Sequence, residues 1–173
     1  MKKMNLKNYI RNIPDFPKPG ILFRDITTLL KDKKAFKLVV SSLSNKYKNK
    51  KIDVVVAVEA RGFILGGAVA ENIGAGFVPV RKKGKLPWKT NSVTYALEYG
   101  TDTLEMHHDA IKPGDRVLII DDLLATGGTV KAVTDLVKQL QGKIVGIAFL
   151  IELTGLKDKE KLKEFQVYSL IKY

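Results

Sequence analysis

Residues 117–129, Val117-Leu118-Ile119-Ile120-Asp121-Asp122-Leu123-Leu124-Ala125-Thr126-Gly127-Gly128-Thr129, put an apolar run, two adjacent carboxylates and a Gly/Thr loop in direct succession. The glycines of the loop Ala125, Thr126, Gly127, Gly128 and Thr129 let backbone N–H groups converge, and its threonines add hydroxyls. A helix starting there adds the positive end of its dipole. Such a loop suits a phosphate. Thr129 follows Gly128 directly, so the lysine of a Walker loop is missing, as is the Gly-x-Gly-x-x-Gly spacing of a dinucleotide site. A carboxylate within about 4 Å of a phosphate charge costs roughly 4 kcal/mol at an effective dielectric of about 20, so Asp121 and Asp122 must serve another group. Ionised carboxylates only accept hydrogen bonds, which fits the 2- and 3-hydroxyls of a ribose 5-phosphate. No dedicated metal cage is read. A Mg²⁺ held mainly by the substrate, with Asp121 and Asp122 as its only ligands from the chain, directly or through water, is compatible.

The elements that must position these groups follow from periodicity. Apolar runs at 54–58, 77–80, 117–120, 144–151 and 167–171 predict five strands, and helical patterns separate most of them. Ala35, Phe36, Val39, Val40 and Leu43 form one amphipathic face. A helix over 63–73 carries Gly66, Gly67, Ala68 and Ala70 for close packing, and Val130, Val133, Leu136, Val137 and Leu140 recur at helical spacing after the loop. The alternation predicts an α/β fold with a mostly parallel five-stranded sheet flanked by helices, its ligands at the carboxyl ends of the strands. Asp121–Thr129 and Glu59–Gly62 both fall at such ends. Between Arg81 and His107 a basic cluster and an alternating segment predict a two-stranded flap. With little apolar content of its own, it should be a mobile hood that keeps water from an activated substrate.

The 173 residues suit a single domain, 1–173, and contain no cysteine, no repeat and no apolar stretch long enough for a bilayer. The basic start of the chain lacks the apolar run of a secretory signal, and with the missing cysteines this leads us to expect a cytoplasmic protein. Thirty Lys and Arg against eighteen Asp and Glu give a net charge of +12. Many of these lysines are scattered over solvent-facing stretches without an aromatic platform, so the expectation is a surface attractive to a small polyanion, with no nucleic acid and no membrane as partner. His107 and His108 point to opposite faces of an extended segment and are read as solvated, not as metal ligands.

The 117–129 string closely resembles the phosphoribosyl pyrophosphate (PRPP) signature of the type I phosphoribosyltransferases. Further segments resemble the adenine phosphoribosyltransferase subfamily: 14–20 with Phe23-Arg24-Asp25-Ile26, then Glu59-Ala60-Arg61-Gly62-Phe63, 81–87, Leu97-Glu98-Tyr99-Gly100 and Ile151-Glu152-Leu153-Thr154. They span almost the whole chain. The resemblance implies the type I fold with a movable hood at about 81–107, Mg²⁺ bound through PRPP or diphosphate, and a homodimer. It implies transfer of phosphoribose from PRPP to adenine, giving AMP and diphosphate, with another purine such as xanthine, or a PRPP-sensing nucleic-acid-binding regulator, as alternatives.

The resemblance also distributes roles. Asp121 and Asp122 hold the ribose, and Ala125–Thr129 the 5-phosphate. Glu59, Ala60 and Arg61 serve pyrophosphate through backbone N–H groups and the arginine, joined by Arg81, Lys82 and Lys85, while Lys83 is surface. Leu22, Phe23 and Arg24 form the adenine element, with main-chain groups at the arginine meeting the base edge and Phe23 facing Leu153 across the ring. Recognition by the backbone lets the Arg24 side chain vary without loss of specificity. Glu98 is the candidate for proton transfer, since a carboxyl closed into a dry site has a raised pKa; Glu105 is chemically similar, and the Glu-Tyr-Gly context selects Glu98. Ala125 stands where relatives acting on 6-oxopurines carry an aspartate, which argues against hypoxanthine and guanine.

Overall fold

The computed structural model describes residues 4–96, 100–154 and 162–173. All five expected strands form. They are β3 (Val54–Val58), β4 (Gly76–Lys82), β7 (Arg116–Leu124), β8 (Lys143–Glu152) and β9 (Val167–Lys172). They lie side by side in the order β4-β3-β7-β8-β9, every neighbouring pair parallel. Alternate residues of the central strands β3, β7 and β8 feed opposite layers, so their buried stretches read as unbroken apolar runs. Val55, Leu118 and Ile120 enter one core with α1 (Thr27–Lys31), α2 (Lys33–Tyr47) and α3 (Arg61–Ile73). Val56, Val58, Val117 and Ile119 enter the other, with Val130, Val133, Leu136 and Val137 of α4 (Gly128–Gln139).

Three features depart from the sequence reading. First, the sheet has seven strands among the described residues, because a hairpin of β5 (Thr90–Ala96) and β6 (Thr101–His107) continues it antiparallel from the edge of β4. The join pairs Arg81 with Glu105 and Lys82 with Leu104. The hairpin is also better anchored than its composition suggests: Leu104 and Met106 are buried, and Val93 and Tyr95 pack against the core that α4 covers. Alternation collects its few apolar groups on one face. Second, β7 does not stop at Ile120. Asp121 pairs with Phe149, Leu123 with Ile151 and Leu124 with Glu152, so the two aspartates sit inside a paired strand. Third, α3 begins at Arg61, two residues before its apolar periodicity starts.

A short antiparallel ribbon, β1 (Arg11–Ile13) with β2 (Phe23–Asp25), stands outside the main sheet. Asp25 fastens it. Its carboxylate accepts from Arg11 Nε and Nη2 at 2.9 and 2.6 Å and from the Thr27 backbone N–H and hydroxyl, both at 2.9 Å. The Thr27 N–H, joined by the Thr27 hydroxyl and Arg11, outweighs burial and holds the carboxyl below its ordinary range. A carboxyl lowered by folding stabilises above its unfolded pKa and loses that contribution as pH falls through the folded one. Asp25→Asn is therefore expected to lower unfolding free energy by about 2 kcal/mol at neutral pH. In denaturant titrations at several pH values, the gap from the wild type should close below the ordinary value of 3.8.

The α3–β3 contact permits no added atom at Gly66, where a Cβ would stand 2.6 Å from the Ala57 Cβ and 3.1 Å from the Phe77 ring. Overpacking costs about 1–3 kcal/mol, against roughly 1 kcal/mol gained in helix propensity. Gly66→Ala is expected to lower the melting temperature by a few degrees, and an unchanged or higher value would contradict the packing.

Candidate active site

The carboxyl ends of β3 and β7 open onto one cleft. After β7 the chain turns through Ala125 and Thr126 to Gly127, whose φ of +82° only glycine adopts freely, and enters α4 at Gly128. This turn and Asp121 line a cavity of about 80 Å³. No lysine or arginine is among its lining residues, so an anion there meets backbone amides, threonine hydroxyls and a helix N-terminus. The hairpin reaches the same cradle. Thr129 Oγ1 lies 3.4 Å from Tyr95 Oη, and a Cβ on Gly128 would stand 3.6 Å from the Ala96 carbonyl oxygen.

Asp121 and Asp122 alternate at the end of β7. Asp121 Oδ1 accepts the Asp122 N–H at 2.8 Å and presses against the start of α3, where a Cβ on Gly62 would stand 2.8 Å from it. Asp122 is buried, and Arg61 Nη2 lies 2.9 Å from its Oδ2. That oxygen is shielded from solvent yet has no aligned hydrogen-bond donor, so it retains acceptor capacity. Burial, and next the neighbouring Asp122 charge, push the Asp121 carboxyl well above its ordinary range. Burial also raises Asp122, and Arg61 pulls it part of the way back. The sequence reading treated both as simply ionised. The structure makes them a pair reluctant to carry two charges until donors arrive.

Arg61, in the first turn of α3, links two groups. Beyond its ion pair with Asp122, its guanidinium lies 5.1 Å from the centre of the Phe23 ring. Phe23 is half-buried, with Phe16 edge-on at 5.1 Å, and Leu22 beside it is exposed. Phe23 and Asp122 are therefore bridged by Arg61. Leu153 is tied to the end of β7 by its N–H, which donates to the Leu124 carbonyl at 3.0 Å.

Just before α3, the Glu59–Ala60 peptide bond is cis. The Glu59 carboxylate accepts from Arg81 Nε and Nη2 at 3.3 and 3.1 Å and from the Lys82 N–H at 2.6 Å. Burial pushes this carboxyl up, but the Lys82 N–H and Arg81 outweigh it and leave it below the usual range. Arg81 Nη1 also donates to the Lys85 carbonyl at 3.0 Å, and Lys82 Nζ pairs with Asp102 at 3.0 Å. Glu59, Arg81, Lys82 and Lys85 thus form one cluster beside Arg61, with Glu59 as organiser of the basic groups. Asp102 was missed in the sequence because nothing there reveals which lysine it faces.

Two further sequence expectations bear on the hood. Glu98 lies outside the described residues. Its rival Glu105 is buried and accepts the Gly84 N–H at 2.9 Å, a bond that holds the turn of the basic cluster. His108 is exposed, whereas His107, on the face of β6 that it shares with Glu105, is half-buried with a shielded Nε2, so only one of the two is solvated as expected. No group of three or more His, Cys, Asp or Glu able to hold a metal occurs among the described residues.

A profile of the phosphoribosyl transferase domain matches residues 26–172. The adenine phosphoribosyltransferase of Trichlorobacter lovleyi is 59% identical over 169 residues, covering 98% of this chain and 99% of the relative. That of Halothermothrix orenii is 55% identical over 168 residues, covering 97% and 99%. The crystal structure of adenine phosphoribosyltransferase from Thermoanaerobacter pseudethanolicus superposes with a TM-score of 0.94 at 53% identity, covering 97% of this chain and 98% of that one. The Saccharomyces cerevisiae enzyme, solved with adenine and an imino-altritol bisphosphate, gives 0.90 at 39% identity, covering 95% and 96%. With near-complete coverage in both sequence and fold, the chain belongs to the adenine phosphoribosyltransferases of the type I phosphoribosyltransferase family.

Proposed function

We propose that the chain joins adenine to the phosphoribosyl group of PRPP, forming AMP and releasing diphosphate, in purine salvage. The observation that carries this reading is the succession at the end of β7: two shielded carboxylates followed by a cavity whose lining holds backbone amides and threonine hydroxyls but no lysine or arginine, with Arg61 and Phe23 adjoining. The 5-phosphate occupies the cradle of Ala125–Thr129, and the ribose hydroxyls donate to Asp121 and Asp122. These new donors favour the ionised carboxylates that burial opposes. Arg61 then exchanges Asp122 for the diphosphate, joined by the backbone at Glu59 and Ala60 and by Arg81, Lys82 and Lys85.

The two carboxylates fit a substrate-borne Mg²⁺, since Asp122 Oδ2 keeps free acceptor capacity and the site offers no cage of its own among the described residues. When bound, the ion would offset charge on the diphosphate. In the transfer, the bond from the anomeric carbon to diphosphate breaks with its electron pair on the leaving oxygen, while N9 of adenine bonds to that carbon. The N9 proton passes to Glu98. Arg61 and the basic cluster stabilise the leaving charge, and Phe23 with Leu153 orients the ring. A homodimer is taken as the working form on the family resemblance alone.

Diphosphate release measured with PRPP and adenine, hypoxanthine, guanine or xanthine tests the assignment, and turnover is expected with adenine. Asp122→Ala should stay folded and lose about ten- to a hundred-fold in kcat/KM for PRPP, the equivalent of one charged hydrogen bond. Full activity in that variant would contradict the ribose assignment. Gly62→Ala drives a methyl group into Asp121 Oδ1. Its KM for PRPP is expected to rise about ten-fold with an unchanged circular dichroism spectrum, the cost of one misplaced acceptor.

A further inference from the structure

We infer that Tyr173 is a positioning residue for adenine: it ties the two walls of the base site together and sets the gap between them. The inference rests on the base site proposed above. One wall is Phe23 with the main chain of Arg24, and the other is Leu153. No strand pairing joins these walls, because β2 pairs only with β1 among the described residues. Tyr173 touches both.

On the Leu153 side the link is made by the backbone. Tyr173 N–H donates to the Glu152 carbonyl at 3.0 Å, and its carbonyl accepts from Thr154 N–H at 2.8 Å and Thr154 Oγ1 at 2.6 Å. These bonds bracket Leu153. On the other side the link is made by the ring. The Arg24 guanidinium lies 3.9 Å from the centre of the Tyr173 ring, and Lys7 Nζ lies 4.6 Å from the same centre. Arg24 Nη1 also donates to Asn12 Oδ1, and Asn12 is the register partner of Arg24 across the ribbon.

The Arg24 side chain therefore points its charge away from the base element and onto Tyr173. Its function is to hold its own backbone, which flanks the base, at a fixed distance from Leu153. A stacked ring needs both faces in contact, so a small change in this gap weakens adenine binding and leaves the phosphate cradle untouched. Substituting the ring keeps the backbone bonds and separates the clamp from the C-terminal strand.

Steady-state kinetics with each substrate varied provides the test. Tyr173→Ala is expected to raise the KM for adenine about five- to ten-fold, with kcat and the KM for PRPP within two-fold of the parent. Tyr173→Phe, which keeps the ring, should restore the adenine KM. Arg24→Met should reproduce the Tyr173→Ala effect on the adenine KM, and combining the two should fall well short of additive, because the Arg24–Tyr173 contact is lost in each. An unchanged adenine KM in both single variants, additive effects, or an equal loss for both substrates overturns the clamp. Phe23→Ala separates this from failure of the underlying site: a raised adenine KM keeps the base site whatever Tyr173 does, and an unchanged one removes the base site and the clamp with it.

Discussion

Negative charge held out of water at the end of β7 is the constraint around which the site is arranged. Asp121 and Asp122 lie inside β7, where pairing with β8 runs on to Leu124 after the β3 ladder has ended at Ile120, and burial raises both carboxyls. The surrounding sequence answers that cost locally. Arg61 is placed at the start of α3 as counter-ion, and residue 62 is glycine because the Asp121 carboxylate fills the space a Cβ would take. The arrangement is tolerable without ligand and better with one, since hydroxyl donors can satisfy the ionised oxygens as Arg61 moves to another anion.

The same logic explains why the proposed phosphate cradle has no lysine or arginine in its lining. A lysine beside Ala125–Thr129 would compete with the hydroxyl donors for Asp121, which lines the same cavity. Amides and a helix end hold an anion without supplying a mobile counter-ion. The cations gather instead beside Arg61, where Glu59 and Asp102 hold Arg81 and Lys82 in place. Part of the net charge of +12 is thus organised by internal carboxylates near the proposed leaving group. That placement favours specific use of the charge over a diffuse basic surface.

The sequence revealed most where one residue's surroundings are set by its near neighbours. The five parallel strands are legible because burial on both faces forces unbroken apolar runs, and the cradle because its glycines and threonines are contiguous. The three-residue strands of the β1–β2 ribbon were not, since so short a segment has no period to detect. The extension of β7 through Leu124 was hidden because carboxylates imitate a strand end, and only the partner residues of β8 show that pairing continues. The join between hairpin and sheet was hidden for a similar reason: Arg81 and Glu105 are both charged, and neither predicts a ladder. Tyr173 gave no signal, because its partners lie in segments remote in the chain.

The hairpin connects these observations. Tyr95 and Ala96 of β5 lie against the N-terminal turn of α4, while Glu105 of β6 holds the Gly84 N–H in the basic turn. One structural unit therefore touches the proposed phosphate cradle at one end and the basic cluster at the other. A substrate carrying phosphate at both ends of a sugar would contact both regions at once, and the hairpin would sense it as a single ligand. The hairpin joins the main sheet through the pairing of Arg81 and Lys82 with β6, and it is held besides by the burial of Leu104 and Met106 and by Val93 and Tyr95 against the core that α4 covers.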